Sequence, residues 1–184
     1  MSHGERSGPA SDEELVRRAR EGEEAAMGAL VRRHTDAVYR VALSITSDSD
    51  LAQDVAQDAF LKAFRGLAGF RGDAAFRTWL LTIAANAARG ALRRRGRRRE
   101  THLDAAPPLA SEEKAPDEIV ESSAEAARAR EALAGLPEKQ RLSIQLRVDE
   151  GLSFREIGEV IGSSEGAARV NYFHGIRKLR ELMP

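Results

Sequence analysis

Apolar residues recur every three or four positions along most of the chain, and breaks in their phase divide it into blocks of helical length. The block Asp12–Ala29 opens with Asp12, Glu13 and Glu14, acids that favour a helix N-terminus, and sets Leu15, Val16 and Ala19 at helical spacing. A second block, about Glu23–Thr46, carries Ala26, Leu30, Val31, Val38, Val41, Ala42 and Ile45 as one broad stripe. Ser47–Asp50 supplies turn and capping side chains, with Asp50 the expected cap of a third helix, about Leu51–Leu67. That helix lines up Leu51, Val55 and Ala59 on one side and Asp54, Gln57 and Asp58 on another. After a turn through Gly69–Ala74, Ala75–Arg95 is Ala-rich, contains Phe76, Trp79, Leu80, Ile83 and Leu92, and ends in dense positive charge. Gly90 and Gly96 weaken its helical interior. Four helices predict a bundle-like domain over residues 12–99.

Helical patterning returns at Ala124–Leu133, turns at Gly135–Pro137, where Pro137 suits a first helical position, and continues over Glu138–Asp149. Ser153-Phe154-Arg155-Glu156 is then a capping box, so a helix is predicted from Phe154, with Ile157, Val160 and Ile161 on its apolar face and Gly162 as its stop. Ser163 or Ser164 caps the next helix, on which Ala168, Tyr172, Ile176 and Leu179 recur. Gly158 and Ala168 are small where two helices would cross closely. This is a helix-turn-helix pattern within a second domain, 125–184.

Composition and charge refine this reading. Only 5% of residues are aromatic and 32% are charged, which with abundant Ala, Leu, Arg and Glu fits an all-α chain and disfavours sandwiches and barrels. The absence of Cys excludes disulfides, thiolate metal sites and Cys nucleophiles, and no cofactor is expected. No phosphate-cradling Gly-rich loop or Ser/His/Asp arrangement appears, so the chain is not expected to be an enzyme. Met1–Glu14 is polar, with residues 1–11 expected to be disordered, and no run of about 18 apolar residues occurs, so a cytoplasmic protein without membrane insertion is expected. The formal net charge of zero conceals unlike parts. Residues 1–99 carry 18 basic and 13 acidic side chains, with Arg89, Arg93, Arg94, Arg95, Arg97, Arg98 and Arg99 clustered at the end. Residues 100–127 hold eight acids against Lys114 alone, with Pro107, Pro108 and Pro116, so 100–124 reads as a flexible acidic linker.

In a helix-turn-helix the second helix enters the major groove, and its exposed candidates are Ala167, Arg169, Asn171, His174, Arg177 and Lys178. Arg suits guanine and Asn adenine, while Lys178 suits a phosphate. The other Arg cluster follows a turn flanked by Phe70 and Phe76, an arrangement able to hold an unstacked base beside phosphate-binding cations, although Phe76 and Trp79 also fit a core. Two other classes accommodate part of this: a free-standing helix-turn-helix regulator, which leaves the 12–99 motifs unexplained, and an Arg-rich RNA-binding protein, which leaves the capping box unexplained.

The motifs Asp54-Val-Ala-Gln-Asp-Ala-Phe60, Phe70-Arg-Gly-Asp-Ala-Ala-Phe-Arg-Thr-Trp-Leu-Leu-Thr-Ile-Ala-Ala-Asn86, Leu136-Pro-Glu-Lys-Gln-Arg141 and Glu150-Gly-Leu-Ser-Phe-Arg-Glu-Ile157 occur in this order. Together they resemble extracytoplasmic-function (ECF) sigma factors of bacterial RNA polymerase. The resemblance implies a sigma-2 domain over 12–99 and a sigma-4 domain over 125–184, joined by the acidic linker. It implies that Asp54, Gln57 and Asp58 dock on the clamp helices of core RNA polymerase. It further implies that Phe70, Asp73 and Asn86 capture a flipped non-template base of the promoter -10 element, with Arg89, Arg93 and Arg94 on the adjacent backbone. Arg169, Asn171, His174, Arg177 and Lys178 fall in the helix matching the -35 reader. An anti-sigma factor that clamps the two domains is the further partner implied, and the acidic linker is expected to occupy a nucleic-acid channel of the polymerase before RNA fills it. Ala167 and Asn171 depart from the Thr and second basic residue common in the family, so the location of -35 recognition carries over and its sequence preference does not.

Overall fold

A computed structural model describes residues 10–101 and 124–183. The N-terminal residues 1–9 and linker residues 102–123, on which disorder and flexibility were expected, lie outside these described residues. Among the described residues the regular structure is entirely helical: α1 (Asp12–Arg20), α2 (Glu24–Thr46), α3 (Ser49–Gly66), a 3-10 turn (Leu67–Gly69), α4 (Phe76–Thr101), α5 (Ala124–Ala134), α6 (Glu138–Val148), α7 (Phe154–Ile161) and α8 (Glu165–Leu182). None of these helices is long and apolar enough to cross a membrane.

The block predicted from Asp12 to Ala29 is two elements. Ser11 caps α1 by accepting the Glu14 amide at 3.3 Å, and the chain then turns at Gly22, whose φ of +86° suits glycine. An Arg18–Glu23 ion pair braces that turn. The cap of α3 is Asp48 rather than Asp50: its Oδ1 accepts the Leu51 amide at 3.0 Å, starting the helix two residues earlier. The Leu51 amide, and then Arg95 at 2.5 Å, hold the Asp48 carboxyl below the usual range and tie the far end of α4 to the start of α3. Helix α4 runs unbroken through Gly90 and Gly96 to Thr101, past its expected end. Pro137 sits at the N-cap of α6, one position before the helix.

In the first domain α2, α3 and α4 pack around Leu30, Val38, Ala59 and Leu80, with α1 laid across α2. In the second, α6, α7 and α8 pack around Leu142, Leu146, Ile157 and Ile161. Both crossings there depend on absent side chains. A Cβ on Gly175 would fall 2.7 Å from Ile144 Cδ1, and one on Gly158 would fall 2.9 Å from the Ser163 carbonyl oxygen. The capping box forms as predicted: Ser153 Oγ accepts the Glu156 amide at 3.3 Å and Glu156 Oε2 accepts the Ser153 amide at 2.8 Å.

The domains do not stand apart. Helix α4 packs on α7 and α2 on α6, and the buried apolar residues form one cluster running through both domains. Polar contacts reinforce this seam. Arg40 donates to Glu150 Oε1 at 2.5 Å, Arg77 pairs with the same carboxylate and donates to the Glu150 carbonyl at 3.0 Å, and the Glu150 side chain is only 3% exposed. Thr78 donates to Glu156 Oε1 at 3.0 Å, Arg89 to Glu138 Oε1 at 2.9 Å, and Arg141 to the Ser44 carbonyl at 2.6 Å. Burial, with Arg40 nearby, lowers the pKa of Arg77, and burial likewise lowers that of Arg141. Both cations are therefore held at a desolvation cost that their partners offset only in part.

Candidate functional site

Three exposed surfaces carry the residues singled out in the sequence. On α3 the inner face buries Ala52, Val55, Ala56, Ala59 and Phe60, which turns Asp54, Gln57 and Asp58 outward. Asp58 accepts Lys62 at 2.6 Å, an exposed i,i+4 pair of small energetic weight. Leu61 is 55% exposed and lies seven residues from Asp54, on the same stripe. Sequence reasoning did not single it out. A groove of about 370 Å³ beside the stripe is lined by Thr35, Asp36, Tyr39, Gln53, Ala56 and Gln57.

The second surface begins in the turn before α4. Phe70 lies half-buried, its ring 4.9 Å from Trp79 and edge-on to Phe76 at 5.9 Å. Arg20 holds the turn from behind, donating to the Leu67 carbonyl at 3.1 Å and to that of Phe70, with its guanidinium 5.9 Å from the Phe70 ring centre. Asp73 is exposed and pairs with Arg71 at 3.0 Å. Going up α4, Trp79, Ile83 and Asn86 recur every three to four residues and Arg93 follows seven residues on, two turns higher on the same side, so an aromatic foot leads to an amide and then to cations. Asn86, Arg93 and Arg94 are exposed. Gly90 lies beneath the two guanidinia: a Cβ there would be 3.4 Å from Arg94 Nη1 and 3.8 Å from Arg93 Nη2. Arg89 does not join this side, because its 2.9 Å bond to Glu138 turns it into the seam.

The third surface is the outer side of α8. Ser164 caps it, accepting the Ala167 amide at 3.2 Å, and fully buried Ala168 faces α7. His174, Arg177 and Lys178 are exposed. Arg169 is exposed too, bonded to Glu165 at 3.0 Å and lying 5.3 Å from the Phe154 ring centre. Asn171 is turned back: its Nδ2 donates to the Ala167 carbonyl at 2.8 Å. Between these polar residues stand Val170, 53% exposed, and Phe173, 57% exposed, which sequence reasoning did not single out. Their signal was positional, since both fall outside the Ala168-Tyr172-Ile176 phase that faces inward.

Comparison with known proteins identifies the family to which this fold belongs. The family models Sigma-70 region 2 and Sigma-70, region 4 match residues 30–98 and 132–181. The RNA polymerase sigma-H factor of Pseudomonas aeruginosa is 33% identical over 170 residues, 88% of each chain. The ECF RNA polymerase sigma-E factor of Escherichia coli is 33% identical over 171 residues, 89% of each, and the sigma factor CarQ of Myxococcus xanthus is 35% identical over 175 residues, 91% of this chain and 95% of that one. Among solved structures, CnrH in complex with the cytosolic domain of CnrY superimposes with a TM-score of 0.67 at 29% identity, covering 94% of this chain and 96% of that one. The fold is also shared with the sigma factor RpoE of Bartonella quintana, solved with the anti-sigma factor NepR, at TM-score 0.70 and 24% identity over 85% of this chain and 95% of that one. Two matched regions in family order, with relatives spanning nearly the whole chain, place it in the sigma-70 family as an ECF sigma factor, a non-catalytic subunit that directs transcription initiation by RNA polymerase.

Proposed function

We propose that the three surfaces divide the work of initiation. The stripe Asp54, Gln57 and Asp58, extended by Leu61, docks on the clamp helices of the polymerase largest subunit. The Phe70–Asp73 turn and Asn86 take a flipped non-template base of the -10 element, and Arg93 and Arg94 bind the flanking phosphates. Arg89 adds to them only on leaving Glu138. Helix α8 enters the major groove at the -35 element with Arg169, His174, Arg177 and Lys178, while Val170 and Phe173 offer apolar contact to bases. Asn171 reaches a base only by giving up its bond to Ala167.

The observation that carries this reading is the order along one side of α4. An aromatic step whose backbone is pinned by Arg20 is followed by an exposed amide and then by cations over a glycine, which is the chemistry a single strand requires. Each DNA surface is small, and docking on polymerase makes their engagement intramolecular, raising the effective concentration of each at its promoter element. A regulatory partner of the anti-sigma kind fits the same chain, which shares its fold with an RpoE solved in complex with the anti-sigma factor NepR.

The test is co-elution of the full chain with core polymerase beside the Asp54→Ala/Asp58→Ala double variant. The wild type is expected to co-elute and the variant to lose at least tenfold in affinity, the scale of about 1.4 kcal/mol. Equal binding by both would remove the docking assignment.

A further inference from the structure

Helix α1 precedes residues 30–98, the span of the Sigma-70 region 2 match, yet both of its ends reach the aromatic step at the foot of α4. At its C-terminal end Arg20 directs its donors at backbone: Nε at the Leu67 carbonyl, 3.1 Å away, and a terminal nitrogen at the Phe70 carbonyl. Those carbonyls stand at the start of the 3-10 turn and just past its end. The same guanidinium lies 5.9 Å from the Phe70 ring centre. At the N-terminal end Asp12 is 2.8 Å from His34 Nε2, and the His34 ring packs 5.6 Å from Phe76. Phe76 and Trp79 are set in place by α4 itself, but Phe70 is not. It precedes residues 71–75, which form no regular structure and include Gly72 at φ +80°. The pose of Phe70 therefore rests on its ring contacts with Trp79 and Phe76 on one side and on Arg20 on the other.

We infer that α1 is a positioning element for base capture, with Arg20 as its positioning residue: the guanidinium fixes the pose of Phe70 and does not itself touch DNA. The inference rests on the proposed -10 reading and adds to it a residue outside the strand-binding edge. Fork geometry carries it. A guanidinium is planar and rigid, so bonds to two carbonyls of one turn fix the orientation of that turn relative to α1, which a flexible ammonium does less well. A flipped base stacks at once on a platform that is already in place, whereas a loose turn must be ordered first, and affinity falls accordingly. Arg20 is exposed and joins no apolar core, so its removal is expected to loosen the turn and leave the fold intact. The contact from Asp12 to His34 supports the same step through buried Phe76.

Trp79 is the single Trp of the chain and lies 4.9 Å from Phe70, so its emission reports the step in the free full-length protein. In Arg20→Ala that emission is expected to shift to the red and to be quenched more readily by acrylamide, with the unfolding midpoint and the affinity for core polymerase unchanged. Bound to core polymerase, the variant is expected to hold a short fluorescein-labelled non-template strand spanning the -10 element roughly three- to tenfold more weakly, the worth of one or two hydrogen bonds. The slope of log affinity against log salt is expected to match the wild type, because no phosphate contact is lost. Arg20→Lys keeps the charge and a good helix former, serves if Arg20→Ala does not fold, and is expected to lose part of both signals together. Unchanged Trp79 emission or unchanged strand affinity in Arg20→Ala, or wild-type values of both in Arg20→Lys, would overturn the inference. So would a salt slope reduced by about 0.7, which would make Arg20 a phosphate contact, and so would strand affinity restored in Arg20→Lys while the emission stays shifted, which would leave charge alone acting. Failure of the wild type to hold the strand, with Trp79 responding as expected, would instead overturn the -10 reading on which the inference rests.

Discussion

The two long sides of α4 outside its own domain's core meet different fates. On one, Thr78 and Arg89 meet the second domain, Thr78 fully buried and bonded to Glu156 and Arg89 bonded to Glu138. On the other, Trp79, Ile83, Asn86 and Arg93 rise from a half-buried aromatic foot to exposed cations. One helix thus supplies an internal joint and a candidate strand-binding edge. A change confined to the first is expected to alter stability, whereas a change confined to the second is expected to alter nucleic-acid binding. Arg89 belongs to the joint, although its sequence neighbours Arg93 and Arg94 belong to the edge.

The largest effect that tests this division is a truncation in the middle of α4. Leu81 is completely buried in the apolar cluster, so Leu81→Ala is expected to cost about 2–5 kcal/mol through lost transfer energy and a residual cavity. Asn86→Ala, on the open side, is expected to stay within about 0.5 kcal/mol. Denaturant unfolding of the two variants checks both, and similar losses would mean that the open side is also packed.

A smaller effect is expected from the cations. Arg93→Ala/Arg94→Ala leaves the seam untouched, so unfolding should not change, while binding to a single-stranded -10 segment by the polymerase complex should weaken severalfold. Each lost phosphate contact reduces the slope of log affinity against log salt by about 0.7. A titration between low and moderate salt therefore separates phosphate contacts from bulk charge: an unchanged slope would place these arginines off the strand.

Local chemistry was legible in the sequence, and partner choice was not. The Ser153–Glu156 box, the Gly162 stop at φ +65° and the close approach at Gly158 all emerged as expected, because each is decided within a few residues. Asp48 displaced Asp50 because both have the right side chain, and only Arg95, 47 residues away, reinforces the earlier one. Asn171 was read as exposed on its helix and Arg89 was assigned to the DNA backbone by resemblance, but the Ala167 carbonyl and Glu138 redirect them. The seam was hidden by reading the linker as a separator. Its trace was in α4, where Leu80, Leu81, Ala84, Ala85, Ala87 and Ala88 spread buried apolar residues over roughly 160° of the helix, wider than the roughly 100° stripe that faces a single core.

The smallest expected effect lies at the foot of α4, where His34 packs 5.6 Å from Phe76 and its Nε2 is 2.8 Å from Asp12 Oδ2. Two influences oppose each other there. Burial disfavours the imidazolium, Asp12 favours it, and burial prevails, so the folded pKa lies below the ordinary 6.5. A base with a depressed folded pKa binds its proton more readily when unfolded, so its contribution is complete above about pH 6.5 and is lost as pH falls through that value toward the folded pKa. The unfolding midpoint should therefore fall between pH 7.5 and 5.5, and His34→Gln should flatten that dependence. Asp48 and Glu156, whose pKa values are lowered, lose their contributions only at more acidic pH, so they do not obscure the window. Asp12→Asn removes the favourable partner and should make the slope steeper. If instead the midpoint rises on acidification in the wild type and not in His34→Gln, the Asp12 pair outweighs burial, and the foot of α4 is held by a charged histidine rather than a neutral one.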